Sequence, residues 1–319
     1  MAKILIFGRS GQLGWELAHQ LAPLGGLTVL GSTDVDFARP VAIRTAIRSV
    51  QPSVIVNAAA YTAVDKAESE PDLAWAINAE APGLLAEEAA RAGSLLVHYS
   101  TDYVFDGAKT EPYFETDPTN PLNVYGKTKL GGEQAIARAM AGSHGRFLIL
   151  RTSWVYGPRG ANFLLTMLRM AKERRELSIV DDQIGAPTSS EAIASATASI
   201  LDRIFTNYSA KAKTQSQHPA GFAHPPLPSS WSGIYHLTCS GATSWFGFAR
   251  EFLTIQAEAT GSPLPTLTPI PTSEFPRPAR RPANSRLSCE LLKQTFGVAL
   301  PTWQQALHQV LGRIPRQAR

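Results

Sequence analysis

Tyr125 and Lys129 stand four residues apart in the stretch Tyr125-Gly126-Lys127-Thr128-Lys129. On a helix that spacing puts both side chains on one face, with the ammonium beneath the phenol. A free phenol ionises near pH 10 and is a slow acid or base at neutrality. A neighbouring cation favours the phenolate and brings its pKa toward the working pH. Upstream, Tyr99-Ser100-Thr101-Asp102 closes an apolar run. A hydroxyl from Ser100 or Thr101 can hold a carbonyl oxygen where negative charge develops, although such hydroxyls also serve as loop caps.

A third group lies near the start of the chain. Gly8-Arg9-Ser10-Gly11-Gln12-Leu13-Gly14 follows the apolar run Ile4–Phe7 and precedes a helical pattern. The first glycine allows a tight strand-to-helix turn, the second a close backbone approach to a pyrophosphate, and the third close helix–sheet packing. The helix N-terminus then aims free N–H groups at the anion. A dinucleotide is the implied ligand, and oxidised nicotinamide would add a second positive charge beside Tyr125. Which dinucleotide depends on the end of the second strand, where an acidic residue would select a ribose 2′-hydroxyl. Gly31 stands there, with Asp34 and Asp36 close behind. Arg9 suits a 2′-phosphate, so the reading favours NADPH and leaves NADH open.

The elements needed to position these groups are legible as alternating short apolar runs and amphipathic stretches. Strands are expected at Lys3–Phe7, Leu27–Leu30, Val54–Asn57, Leu95–Ser100 and Phe147–Arg151. Helices are expected at Leu13–Leu24, Val41–Val50, Leu73–Arg91 and Tyr125–Met140. Strands separated by helical crossovers make a doubly wound parallel α/β sheet of Rossmann type. Its ligands bind at the carboxyl ends of the strands, where the glycine turn and Thr101 both fall. Beyond Tyr156 the pattern becomes less regular. Helices are expected at Ala161–Arg174, Glu191–Phe205, Trp245–Ala257 and Leu300–Leu311, and a strand at Gly233–Thr238. Gly261–Pro282 is rich in proline and has no helical period. The expected organisation is a dinucleotide-binding domain over residues 1–156 and a smaller, partly interleaved substrate-binding lobe over 157–319. A loop insertion is expected over 206–232, a stretch rich in Ser, Pro, His and Lys.

Composition narrows the function classes. With 319 residues, 44% hydrophobic and 18% charged, the chain can bury a large core. A net charge of +4 lacks the clustered basic residues of a nucleic-acid binder, so no nucleic-acid partner is expected. The two cysteines, Cys239 and Cys289, have no metal-ligand spacing. No apolar run approaches a membrane span, and Met1-Ala2-Lys3 leads into too short an apolar stretch for a signal peptide. The expectation is a cytoplasmic protein with no membrane partner and no metal among its assigned sites.

These residues carry a resemblance that covers nearly the whole chain except about 206–232. The matching stretches are Phe7–Gly14, Val54–Glu70, Val97–Gly107, Asn123–Gly132, Leu150–Gly157, Asp181–Thr188 and Ala279–Leu287. The chain resembles the extended short-chain dehydrogenase/reductases, and within them the dTDP-4-dehydrorhamnose reductase family. The glycine turn and Tyr–Lys pair mark the superfamily, whereas Ala59–Glu70, Ser100–Gly107 and Asp181–Thr188 are more particular. The resemblance implies hydride reduction of a C4 ketone on a nucleotide-linked sugar, with Tyr125 as proton donor. Lys129 is then the ribose anchor and pKa modifier, and Thr101 the carbonyl-positioning hydroxyl. Implied cofactor contacts fall on Gly11, Gln12, Leu13, Asp36, Phe37, Ala60, Tyr61, Thr62, Tyr125 and Lys129, to which the glycine turn itself adds Gly8 and Gly14. Implied substrate contacts fall on Thr101, Asp102 and Trp154, Trp154 being equally suited to a core role. Some members bind magnesium through carboxylates at a dimer contact, and Glu16 and Glu191 fall at the matching positions. Neither has metal-ligand spacing, so ordinary helix-surface roles stay open, as does a homodimer. A non-catalytic regulatory subunit of the same fold, and another nucleotide-sugar reductase or epimerase, are the competing readings. A dehydratase would need a glutamate beside the threonine, and Thr101-Asp102-Tyr103 lacks one.

Overall fold

A computed structural model of the chain describes residues 2–143, 145–213, 227–228 and 230–314, with 208–213 as backbone only. Strands β1 (Ala2–Phe7), β2 (Gly25–Leu30), β3 (Val54–Asn57), β4 (Leu95–Thr101) and β5 (Arg146–Thr152) form one parallel sheet with the edge strand Gly233–His236. Its order is edge strand, β5, β4, β3, β1, β2, so the chain reverses direction across the sheet between β1 and β3. Open α/β sheets leave a crevice at such a switch point, beyond the carboxyl ends. Register keeps those ends level: Phe7 pairs with Asn57, Asn57 with His98, and Thr101 with Thr152.

Both faces of the sheet are apolar because alternate residues enter different cores. Ile4, Ile6, Val54, Val56, Val97, Leu148 and Leu150 pack with Leu17 and Leu21 of the helix Gln12–Gln20 and with Ile193, Phe248, Leu307 and Val310 from the second half. Leu5, Phe7, Ile55, Leu96 and Ile149 face Ile43, Ile47, Leu85, Ile136 and Met140 on the helices Pro40–Val50, Ala81–Ala92 and Val124–Met140.

Some local expectations hold and others are corrected. The helix expected at Leu73–Arg91 is found as one continuous helical run, Pro71–Trp75, a π-turn at Ala76–Glu80 and Ala81–Ala92. That turn carries Asn78, which is hydrogen-bonded to Tyr61 and Thr128. The proline-rich run Gly261–Pro282 contains the strand Thr266–Ile270, paired in parallel with Glu176–Val180. At 206–213 the structure has helix where a loop was expected, because Ser190–Lys213 is one continuous helix. The remainder of the expected insertion lies partly outside the described residues, but Leu227 and Trp231 return to the core.

Candidate functional site

A cleft of about 750 Å³ opens at the carboxyl edge of the sheet. Its walls include Gly8, Gly11, Gln12, Leu13, Asp36, Phe37, Ala60, Thr62, Thr101, Asp102, Tyr125, Lys129 and Trp154. Sequence separations of up to 237 residues, from Gly8 to Trp245, thus collapse into one crevice. Two of the expected contacts do not line it. Gly14 sits behind the turn, where a Cβ would fall 2.0 Å from the Gly8 carbonyl oxygen. Tyr61 donates its hydroxyl to Glu70 at 2.7 Å.

The glycine turn is held by contact as well as by flexibility. Gly8 has φ +106°, and a Cβ there would meet the Ala58 and Ala59 backbone at 2.8–2.9 Å. Gly11 donates its N–H to the Gly8 carbonyl and caps the helix Gln12–Gln20 without a side-chain hydrogen bond. The first N–H groups of that helix therefore face the cleft unmasked by a capping side chain. Gln12 is held in turn by Asn162, whose Nδ2 donates to its Oε1 at 2.9 Å. At the end of β2, Asp34 accepts from the Gly31 N–H at 2.7 Å and pairs with Arg9 at 3.0 Å. Asp36 accepts from the Ala38 N–H at 2.9 Å.

Tyr125 and Lys129 lie on the first turns of Val124–Met140. That helix starts where it does because Asn123 accepts from the Gly126 N–H at 2.8 Å. Gly126 and Gly132 let it press against neighbouring backbone, since Cβ atoms there would lie 2.2 Å from the carbonyl oxygens of Tyr103 and Asn78. Thr101 donates to Asp102 Oδ1 at 3.0 Å and accepts from the Tyr103 N–H at 3.2 Å, with the Tyr125 phenol lining the same cleft. Burial raises the Tyr125 pKa to about 12, against a smaller lowering by Thr101. Lys129 is not among the causes of this shift. Instead the Lys129 ammonium donates to the Tyr99 carbonyl at 2.6 Å and lies 3.3 Å from His98 Nε2. Burial brings Lys129 itself down to about 8. Asp102 is pushed up to about 6 by burial, which outweighs its hydrogen bonds with Ser285 and Thr101. Ser100 Oγ and Thr152 Oγ1 are buried without a hydrogen-bond partner among the described residues, on strand ends that line the same cleft. Buried hydroxyls of this kind suit a polar ligand.

Four participants were missed in the sequence. Asn78, in the π-turn, accepts from the Tyr61 N–H at 2.8 Å and donates to the Tyr61 carbonyl at 3.0 Å and to Thr128 Oγ1 at 3.1 Å. It fastens the loop after β3 to the helix carrying Tyr125. His98 and Asn57 form a buried polar pair beneath Lys129, 3.0 Å apart. Trp245 stacks on Trp154 with ring centroids 3.6 Å apart and planes 7° apart. Trp154 has φ +49°, a costly conformation for a bulky residue that tertiary contacts must hold. The π-turn gives no periodicity signal, and the Trp pair is joined only through the fold.

Magnesium does not fit Glu16 and Glu191. The Arg313 guanidinium lies between them, 3.0 Å from Glu16 and 2.7 Å from Glu191. Among the described residues no cluster of three metal-ligating side chains occurs. No helix among them is long and apolar enough to cross a membrane.

The same chain matches known proteins along its length. A protein from Burkholderia thailandensis named dTDP-4-dehydrorhamnose reductase is 48% identical over 96% of each chain. One of the same name from Escherichia coli K12 is 45% identical over 98% of this chain and 97% of its own. The solved structure of a dTDP-4-dehydrorhamnose reductase from Bacillus anthracis, in complex with NADP, superposes with TM-score 0.80. It is 31% identical and covers 97% of this chain and 98% of its own. The family model described as the RmlD substrate binding domain matches residues 2–315. With that match spanning both the glycine turn and the C-terminal helix, the chain belongs to the RmlD substrate binding domain family.

Proposed function

We propose that the protein is an NADPH-dependent dTDP-4-dehydrorhamnose reductase, converting the C4 ketone of dTDP-4-dehydro-β-L-rhamnose to the alcohol of dTDP-L-rhamnose. The observation that carries this reading is the meeting of the glycine turn, Thr101, Tyr125 and Lys129 in one cleft, within a chain 48% identical to a protein of that name. The turn suits a dinucleotide, because its glycines leave backbone where a side chain would otherwise stand. Gly8, Gly11, Gln12 and Leu13 would hold the pyrophosphate, Asp36 and Phe37 the adenosine end, and Ala60 and Thr62 the far wall. NADP in the Bacillus anthracis relative supports NADPH as the cofactor. When bound, it supplies the hydride.

The protein's own part is to place the ketone and deliver the proton. The Thr101 hydroxyl holds the carbonyl oxygen. Tyr125 keeps its proton at neutral pH because burial raises its pKa, and it gives that proton to the oxygen as negative charge builds there. Lys129 anchors the nicotinamide ribose, and its charge then restrains the phenolate left behind. Asp102 and Trp154 contact the sugar. Residues 1–156 form the dinucleotide-binding half and 157–319 the main substrate-binding half. The cytoplasm is the proposed setting, which two free thiols, Cys239 and Cys289, favour.

The test follows loss of NADPH or NADH absorbance with dTDP-4-dehydrorhamnose and, separately, with a GDP-4-keto sugar. Oxidation with the dTDP sugar is expected. Turnover with the GDP sugar alone would reject the substrate, and stoichiometric capture of a protein partner without any cofactor oxidation would reject the enzyme.

A further inference from the structure

Glu16 is almost fully buried, at 1% exposure, on the same helix that receives the glycine turn. Glu191 stands in the first turn of Ser190–Lys213, and these two helices pack along one another. Arg313 is the last residue of the helix Trp303–Arg313. Its guanidinium meets Glu16 at 3.0 Å through one nitrogen and Glu191 at 2.7 Å through another. Three helices from widely separated parts of the chain therefore meet at one cluster of two carboxylates and one fixed cation.

The placement is favourable for a guanidinium and poor for a metal. A cation at a helix C-terminus and a carboxylate in a first turn each complement the helix dipole. Burial works against the charge on Arg313, yet its hydrogen bonds with Glu191 and Glu16 leave its pKa raised. A second guanidinium, Arg159, lies 3.5 Å above the Trp15 ring, and Arg313 lies 5.6 Å from the same ring. A divalent ion between the carboxylates would need several oxygen ligands at short range and would stand beside a guanidinium already paired with both. Among the described residues only these two carboxylates are present here, and one guanidinium already pairs with both.

We propose that Arg313 is the built-in cation of this junction, joining the cofactor-binding half to the C-terminal half through Glu16 and Glu191 so that the protein is independent of magnesium. The pair geometry makes Arg313 a positioning residue of the fold, remote from the reacting groups, and the inference stands apart from the choice of substrate.

The test uses thermal melting of the full-length protein after exhaustive treatment with EDTA, then with added MgCl₂ or MnCl₂. The wild type is expected to melt at the same temperature in all conditions and to give no binding heat with Mg²⁺ by calorimetry. A fall with EDTA that Mg²⁺ restores, or Mg²⁺ binding abolished by Glu16→Gln, would overturn the proposal. Arg313→Met leaves two facing carboxylates and should melt about 2–4 °C lower; melting unchanged from wild type would also overturn it. Arg313→Glu supplies a third carboxylate and should acquire a rise in melting temperature with Mn²⁺ that EDTA reverses. A folded Arg313→Glu variant indifferent to Mn²⁺ would refute the claim that the guanidinium stands where a metal could.

Discussion

Two buried groups with displaced pKa values line the cleft. Tyr125 is protonated at neutrality, as a proton donor must be, and removing its hydroxyl while keeping its ring isolates that role. Tyr125→Phe should lower kcat by roughly 10²–10⁴-fold with little change in NADPH affinity, measured by steady-state kinetics and fluorescence titration. Asp102 behaves in the opposite sense to a surface carboxylate. Its folded pKa, raised by burial to about 6, lies above the unfolded value near 3.9. The folded state therefore binds the extra proton between about pH 4 and pH 6, and Asp102 costs stability as pH rises through that window. Asp102→Asn carries no such charge. Urea unfolding from pH 4 to pH 7 should show the variant gaining about 2–3 kcal/mol on the wild type; a constant difference would mean that the carboxyl ionises normally.

At the scale of elements, the helix carrying Tyr125 and Lys129 is fixed by a buried pair as well as by its glycines. Arg151 of β5 donates Nε and one terminal nitrogen to the two oxygens of Glu133, at 2.9 and 2.6 Å, with both side chains at most 3% exposed. Glu133 lies one turn beyond Lys129 on the same helix. Glu133→Gln would strand a buried guanidinium and should cost about 3–5 kcal/mol in denaturant unfolding. The glycine turn is the second fixed element. In Gly14→Ala a Cβ would collide with the Gly8 carbonyl, so the turn must open. NADPH affinity by titration should fall at least tenfold, which corresponds to about 1.4 kcal/mol. Affinity equal to wild type would show that the turn tolerates the movement.

The two halves of the molecule share one core. Ile4, Val97 and Leu150 of the sheet are packed in the same cluster as Phe248, Trp303 and Val310, and the edge strand Gly233–His236 completes the sheet beside β5. Polar ties repeat the pattern: Arg281 pairs with Asp65, and Asn123 donates to the Arg280 carbonyl at 2.7 Å. Although residues 1–156 contain every proposed catalytic group, that segment produced alone would expose the face now covered by the second half. It should lack a cooperative thermal transition by near-ultraviolet circular dichroism, while the full chain melts cooperatively.

By itself the sequence determined the parallel sheet and its strand-end turn, and it nominated candidates for moving a proton, because these depend on local periodicity, glycine spacing and side-chain chemistry. Val54–Asn57 was expected and found with the same bounds; Tyr125 and Lys129 stand out by type and spacing, whereas only the family resemblance sets Thr101 apart from Ser100. Tertiary structure alone decided what each group does electrostatically. Lys129 turns to Tyr99 and His98, Asn78 clamps Tyr61 from a π-turn, and Trp245 lies on Trp154. It also put Arg313 between Glu16 and Glu191. Burial and charge pairing arise between residues remote in the chain, so spacing along the chain carries no trace of them.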